Sequence, residues 1–198
     1  MKIEFGILLL MMTILALSCK NNESYKEPNS KFYGCNLEND SIVLLRLQNF
    51  VNFQDLYNEV EQISCSGGVA GVELENEGIS SILTFSNPCW ENYICILISR
   101  RNVFEIIDDS INFEKTYPID SLNSLLKKHY ENQGTLPFYS DHPDKVVVSI
   151  KYETNKLDKL PSLLNRLIIA YDRVENSKCL NVWFDGKQPP PTPPNMNK

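Results

Sequence analysis

The sequence predicts an α+β fold, with a mixed sheet and helices packed on one face of it. Two observations support this class. Apolar runs typical of strands lie between segments whose apolar residues recur every three or four positions, as on one face of a helix. Residues 145–185 contain three such segments in order: an apolar run at 146–152, a helical pattern at 160–174 and a second apolar run at 179–184. We therefore expect a C-terminal β-α-β unit with two parallel strands.

The other elements are expected from the same patterns and from turn and capping residues. In chain order they are a strand at 41–47, a helix at 53–64, strands at 69–74 and 79–85, a hairpin of strands at 93–99 and 103–107, and a helix at 119–130. Asn52 is placed to cap the first helix, and Gly78 to form the turn of the first hairpin. Pro118 and Gly134 mark the two ends of the second helix.

Composition and charge limit the classes of function. The chain has 198 residues, of which 42% are hydrophobic, so it can form the core of one medium-sized domain. We divide this domain into an N-terminal α+β part at 35–92 and a C-terminal part at 93–185. The formal net charge of −6 and the pI of about 5.0 argue against a nucleic-acid partner, because phosphate binding needs a basic surface.

The amino terminus predicts the compartment. Residues 1–18 have the form of a signal peptide, with Lys2 before an apolar segment that is too short to span a bilayer. Ala16-Leu17-Ser18-Cys19 resembles a bacterial lipobox of the loose type common in Bacteroidetes lipoproteins. We therefore expect Cys19 to be lipidated and to anchor the chain to a membrane. An ordinary cleaved secretory signal and a short uncleaved anchor are the alternatives.

Two flanking segments lack the pattern of a folded core. Residues 19–34 are polar and are expected to form a flexible tether. Residues 186–198, GKQPPPTPPNMNK, are rich in proline, which favours an extended polyproline II conformation. We expect a disordered tail, with a docking ligand for an aromatic groove as the alternative.

Five cysteines follow Cys19, an odd number, so at least one is unpaired within the chain. An exported domain permits disulfides. Cys89 and Cys95 frame a short loop and are a candidate pair, although Cys95 also fits a buried strand. The chain has no CxxC motif and only two histidines, so we expect no metal, no cofactor and no thioredoxin-like redox site.

No sequence pattern indicates a catalytic site. Ser140-Asp141-His142 holds the residue types of a hydrolase triad, but immediate neighbours rarely form a relay, and a surface turn is the simpler interpretation. Cys65 with His129 or His142 would be a thiolate dyad. Lysines flank His129, so we expect it to point to solvent. Aromatic residues, among them Trp90, Tyr93, Trp183 and Phe184, fit either a binding groove or the core.

Residues 93–185 contain ICILIS, VFEII, PIDSLNSLLKKH and HPDKVVVSIKYE in that order, followed by a helix and a strand. This order, with a leucine-patterned helix before a proline-led strand at 143–150, resembles the periplasmic domain of the ExbD/TolR biopolymer-transport family. Members of that family carry a transmembrane helix with an aspartate that takes part in proton-driven work. The apolar segment here has no acidic residue after Glu4, so the motor role is not carried over. The resemblance implies a small envelope domain that dimerises or binds other envelope components.

From the sequence we therefore expect a non-enzymatic lipoprotein of the cell envelope that acts by protein interaction. We expect its anchor in the outer membrane and its domain exposed to the periplasm or the cell surface. The family resemblance implies an accessory of an envelope transport or energy-transduction complex, with an envelope protein or a second copy as partner. An exported thiol-dependent or serine-type hydrolase, and a peptide- or glycan-binding module, are the alternatives.

Overall fold

The computed structural model describes residues 31–35, 41–76, 78–89, 98–152, 157–174 and 179–186. Within these ranges the chain forms two mixed sheets and three α-helices, which confirms the α+β class. The strands are β1 Lys31–Tyr33, β2 Ile42–Leu45, β3 Val69–Asn76, β4 Ile79–Phe85, β5 Val103–Ile107, β6 Ser110–Asn112, β7 Thr116–Pro118, β8 Val147–Lys151 and β9 Val182–Phe184. The helices are α1 Phe53–Cys65, α2 Leu122–Glu131 and α3 Leu160–Asp172.

The N-terminal sheet has the strand order β1-β4-β3-β2. β3 and β4 form the predicted hairpin, and Gly78 in its turn has a φ of 77°, which a glycine adopts without strain. β1 runs parallel to β4, with Phe32 opposite Ile82. The C-terminal boundary predicted for the tether at 19–34 is therefore too late, because β1 lies within that range. Burial of the Tyr33 side chain, which is 5% exposed, gives this end of the segment a place in the core.

The C-terminal sheet has the strand order β7-β6-β5-β8-β9. β8 and β9 are parallel neighbours joined through α3, with Val148 opposite Val182, so the predicted β-α-β unit is confirmed. β5 pairs in parallel with β8 and in an antiparallel hairpin with β6. Most of the strand predicted at 93–99 lies outside the described residues, and 98–99 are not strand. The returning partner of β5 that the structure describes is therefore β6.

The two sheets join where β4 ends. The Ser86 backbone N–H donates to the carbonyl of Val182, with an N to O distance of 2.9 Å. Cys35, two residues after β1, is disulfide-bonded to Cys179, three residues before β9. Buried side chains from both sheets and all three helices form one hydrophobic core, with Phe85, Phe104, Phe184, Leu56, Leu126 and Leu164 among its largest fully buried members. The two parts of the chain therefore fold as one unit.

The helices begin and end at residues with clear local reasons. The Asn52 side chain accepts a hydrogen bond from the Asp55 backbone N–H at 2.9 Å, which confirms the predicted cap of α1. α2 begins at Leu122, because 119–121 form a 3-10 turn after Pro118. Its last turn leads to Gly134, whose φ of 78° directs the chain away from the helix.

The disulfide pattern corrects one prediction. Cys89 is bonded to Cys65, with their Cα atoms 4.7 Å apart, so the candidate pair of Cys89 with Cys95 is wrong. The β3–β4 hairpin follows α1 directly and returns the chain to the helix end, where Cys65 is the last residue. Proximity in the fold therefore decides the pair, whereas proximity in sequence favoured Cys95, which lies outside the described residues.

Several predictions concern parts of the chain that the structure does not describe. These are the signal peptide at 1–18, the lipidation site Cys19, most of the tether, and the tail from 187 onward. The expected tail starts one residue too early, because Gly186 is buried against the ring of Tyr57. None of the helices in the described ranges has the length and hydropathy needed to cross a membrane.

Candidate protein-binding cleft

An open cleft of about 650 Å³ lies beside the start of β5 and the end of β6. We call it the β5–β6 cleft. Phe104 and Ile106 of β5 are buried in the core, so the alternation of side chains along a strand places Val103 and Glu105 on the other face, where the cleft is. The residues that line it include Arg100, Glu105, Phe113, Glu114, Pro137 and Phe138.

The far side of the cleft is a loop held in place by Asn132, which follows α2 and is 5% exposed. The Asn132 Nδ2 group donates to the carbonyls of Leu136, Tyr139 and Ser140, at 3.0, 3.2 and 2.8 Å. The Asn132 Oδ1 atom accepts from the Leu136 backbone N–H at 2.8 Å. One side chain thus fixes four backbone groups of the loop. These hydrogen bonds therefore fix the backbone of the loop that carries Phe138.

Phe138 is 54% exposed, although a phenylalanine ring gains free energy from leaving water. Pro137 precedes it and also lines the cleft. Aromatic rings supply much of the binding free energy at protein interfaces, so Phe138 is a candidate contact residue. Sequence reasoning missed this residue, because TLPFYSDHPD reads only as a loop rich in turn formers.

An aromatic cluster lies behind the cleft. The His129 ring packs edge-on against Phe104, Phe113 and Tyr139, with centroid distances of 5.1, 4.8 and 5.2 Å. Phe113 belongs to this cluster and also lines the cleft. Phe113 and Tyr139 are in contact with each other, with centroids 4.7 Å apart. The base of the cleft therefore connects through Phe113 to the packed interior.

The prediction that His129 points to solvent is wrong, because the residue is 1% exposed. Neither ring nitrogen has a hydrogen-bond partner in the described part of the chain. Burial lowers the pKa of His129 to about 4, so the imidazole is neutral near pH 7. Its position three residues after Leu126 and seven after Leu122 was the signal for the buried face of α2, and the flanking lysines obscured it.

The charges of the cleft are only partly paired. The Arg101 guanidinium donates to the Asp141 carboxylate at 2.7 Å, and the Lys145 ammonium contacts the same oxygen at 3.3 Å. Arg100, Glu105 and Glu114 make no side-chain hydrogen bond or ion pair with residues that the structure describes. The cleft therefore combines aromatic surface with charges of both signs.

The turn beside the cleft contains Ser140, Asp141 and His142. The Ser140 hydroxyl is 2.9 Å from Asn102 Oδ1 and 2.8 Å from the His142 carbonyl, and Ser140 is fully buried. The His142 Nδ1 atom accepts from the Asp144 backbone N–H at 3.3 Å. The three side chains have separate partners, and the serine hydroxyl has no contact with the imidazole. This geometry matches a structural turn and lacks the relay of a triad.

The other candidate residues are dispersed. Cys65 is in a disulfide, so it has no free thiol for a dyad with either histidine. Phe184 belongs to the core, Trp183 is partly buried on β9, and Trp90 and Tyr93 lie outside the described residues. In the ranges that the structure covers, no group of three or more His, Cys, Asp or Glu residues is arranged to hold a metal ion.

A scan against protein-family models finds no match for the chain, and searches of curated proteins and of solved structures find none either. The resemblance of residues 93–185 to the ExbD/TolR periplasmic domain therefore rests on the order and pattern of the sequence. It remains a prediction.

Proposed function

We propose that this chain is a lipid-anchored protein of the cell envelope that acts by binding a partner protein, and that the β5–β6 cleft is the binding site. The observation that carries the proposal is the exposed Phe138 ring on a loop fixed by Asn132, beside the charged side chains of Arg100, Glu105 and Glu114. Aromatic anchors with charged neighbours are the usual composition of a protein-binding patch.

Two features support a location outside the cytoplasm. The two disulfides, Cys35 with Cys179 and Cys65 with Cys89, are of the kind that persists in oxidising compartments. The sequence before them has a signal-like apolar run and a lipobox-like Cys19. A domain in this position meets other envelope proteins, and the family resemblance of 93–185 makes components of a transport or energy-transduction complex the first candidates.

The open shape of the cleft, which has a volume of about 650 Å³, supports a segment of polypeptide as the bound group. An extended segment places its side chains alternately, so one apolar side chain can pack on Phe138 and Phe113 while charged neighbours reach Glu105 or Arg100. The hydrolase alternatives have less support, since Cys65 is oxidised and the Ser140 hydroxyl is buried.

The proposal is tested by replacing Phe138 with a photo-crosslinking phenylalanine analogue in the intact lipoprotein in its native host. We expect a discrete covalent adduct with one envelope protein. The matched control carries the analogue at Ile79, which is 55% exposed and lies at the start of β4, away from the cleft residues. No adduct from position 138, or the same adduct from both positions, would contradict the proposal. An adduct of twice the protomer mass would identify a second copy as the partner.

A further inference from the structure

We propose that residues 187–198 of this chain dock into the β5–β6 cleft of the same molecule, so that a partner must displace them. The inference rests on the proposed function, because it assigns a competitor to the proposed binding site. It is carried by the place where the described chain ends, by the length that follows, and by the match between the two surfaces.

The point at which the tail leaves the domain is fixed. The Asp185 backbone N–H donates to the Ile150 carbonyl at 2.8 Å, so the chain still follows β8 after β9 has ended. Gly186 then packs so closely on Tyr57 that a Cβ atom there would lie 2.4 Å from the ring. Only glycine fits this contact, and the tail therefore starts from one defined position at the edge of the core.

The tail is long enough to reach the cleft. Phe184 lies opposite Ile150, which lies opposite Ile106, so β9 and β5 are separated by one strand, or about 10 Å. From Ile106 back to Val103, at the cleft, the distance along β5 is also about 10 Å. Twelve residues follow Gly186. In a polyproline II conformation they span roughly 37 Å, which exceeds this path even with a detour around the sheet.

The chemistry of the tail matches that of the cleft. Five of its twelve residues are prolines, at 189, 190, 191, 193 and 194. A polyproline II segment binds aromatic grooves at low entropic cost, because its backbone is already extended and its rings pack flat on aromatic faces. Phe113 and Phe138 supply such faces. Of the two lysines of the tail, only Lys198 is far enough from the anchored Gly186 to pair with Glu105 or Glu114, which line the cleft together with Arg100 and Arg101.

Docking within one chain has a concentration advantage over a separate partner. A ligand joined by a short linker is present at an effective concentration in the millimolar range. A partner that binds the same cleft must therefore displace the tail. Its apparent affinity is its intrinsic affinity multiplied by the fraction of molecules whose cleft is empty. The tail would make the cleft selective for partners that bind it tightly.

The test uses the full mature chain, purified, with the photo-crosslinking analogue at position 138. After irradiation at low protein concentration and proteolysis, mass spectrometry should find the tail peptide joined to position 138 in the monomer. The analogue at Ile79 is the control and should give no tail crosslink. Absence of the tail crosslink from 138, an equal crosslink from 79, or a crosslink found only in dimers would overturn self-docking.

A second variant keeps the length of the tail and removes its conformational preference. With Pro189, Pro190, Pro191, Pro193 and Pro194 all replaced by serine, we expect the tail crosslink to fall by about tenfold and the partner adduct in cells to increase. An unchanged tail crosslink would overturn the polyproline argument. If the protein with its native tail shows no tail crosslink when purified but still forms the partner adduct in cells, only this inference is removed. A tail crosslink without any partner adduct removes the proposed function.

Discussion

The side-chain amide of Asn87 pairs with both backbone groups of Phe184. Its Nδ2 group donates to the Phe184 carbonyl at 2.7 Å, and its Oδ1 atom accepts from the Phe184 N–H at 2.9 Å. Asn87 follows β4 and is 6% exposed, while Phe184 is the last residue of β9. The amide thus takes the place of a neighbouring strand and joins the two sheets at a buried position.

Replacing Asn87 with alanine should lower the free energy of unfolding by about 2 to 4 kcal/mol, because it leaves two buried backbone groups without partners. Urea denaturation followed by circular dichroism measures the change. Asn123→Ala, on the exposed face of α2, is the matched control and should change it by less than about 0.5 kcal/mol. Equal stabilities of the two variants would contradict the role of Asn87.

The buried His129 predicts a dependence of stability on pH. Burial lowers its pKa in the folded state to about 4, against 6.5 for the free side chain, so the unfolded chain binds more protons between these values. The contribution of neutral His129 to the free energy of unfolding is therefore fully present above about pH 6.5 and is lost as the pH falls toward 4. The shift corresponds to roughly 3 kcal/mol.

His129→Phe removes this dependence and keeps an aromatic ring against Phe104 and Tyr139. No hydrogen bond is lost, because both imidazole nitrogens are without partners in the part of the chain described. Urea denaturation at several values from pH 4 to pH 7 should give a flatter curve than wild type. Asn123→Ala, which changes an exposed residue that does not ionise, should leave the curve unchanged. A wild-type curve that is already flat would refute the prediction.

The Cys35–Cys179 disulfide closes most of the chain into a loop, since 144 positions separate the two residues. Replacing both cysteines with serine should lower the free energy of unfolding by about 2 to 5 kcal/mol, mainly by allowing more conformations of the unfolded chain. Removing Cys65 and Cys89, separated by 24 positions, should cost less. Thermal and urea denaturation of both double variants provide the comparison, and an unchanged Cys35/Cys179 variant would argue against the bond.

Lipidation is predicted from the sequence at Cys19. Cys19→Ser should abolish labelling of the protein by an alkynyl fatty acid and its retention in the membrane fraction, because the thiol that receives the lipid is gone. Ser24→Ala, in the predicted tether, is the control and should keep both. If Cys19→Ser were labelled and retained like wild type, the anchor would lie elsewhere.

The parts of the fold that local patterns predict are those with enough residues to show a period. α3 buries Leu160, Leu163, Leu164 and Leu167 at helical spacing, and β8 and β9 flank it as apolar runs. β1 has only three residues, and only its pairing with 81–83 makes it a strand. Local sequence holds no information on such a distant partner.

The candidate site was less predictable than the fold, for a related reason. Phe138 becomes a surface feature only because Asn132 holds the loop around it, and that contact depends on three-dimensional geometry. The pairing of Cys89 with Cys65 likewise follows from the return of the β3–β4 hairpin to α1. Cysteine spacing alone could not distinguish it from a pair with Cys95.

The Cys35–Cys179 bond also determines how the domain carries a mechanical load applied at its amino end. β1 is a short edge strand, held to α3 by contacts of Lys31 and Tyr33 with Asp172, and tension along the chain would detach it first. The disulfide passes that tension directly to Cys179, three residues before β9. Residues 36–178 then lie inside a covalent loop and are shielded from a pull applied between the two ends of the chain, whereas β1 and β9 flank this loop and carry the load.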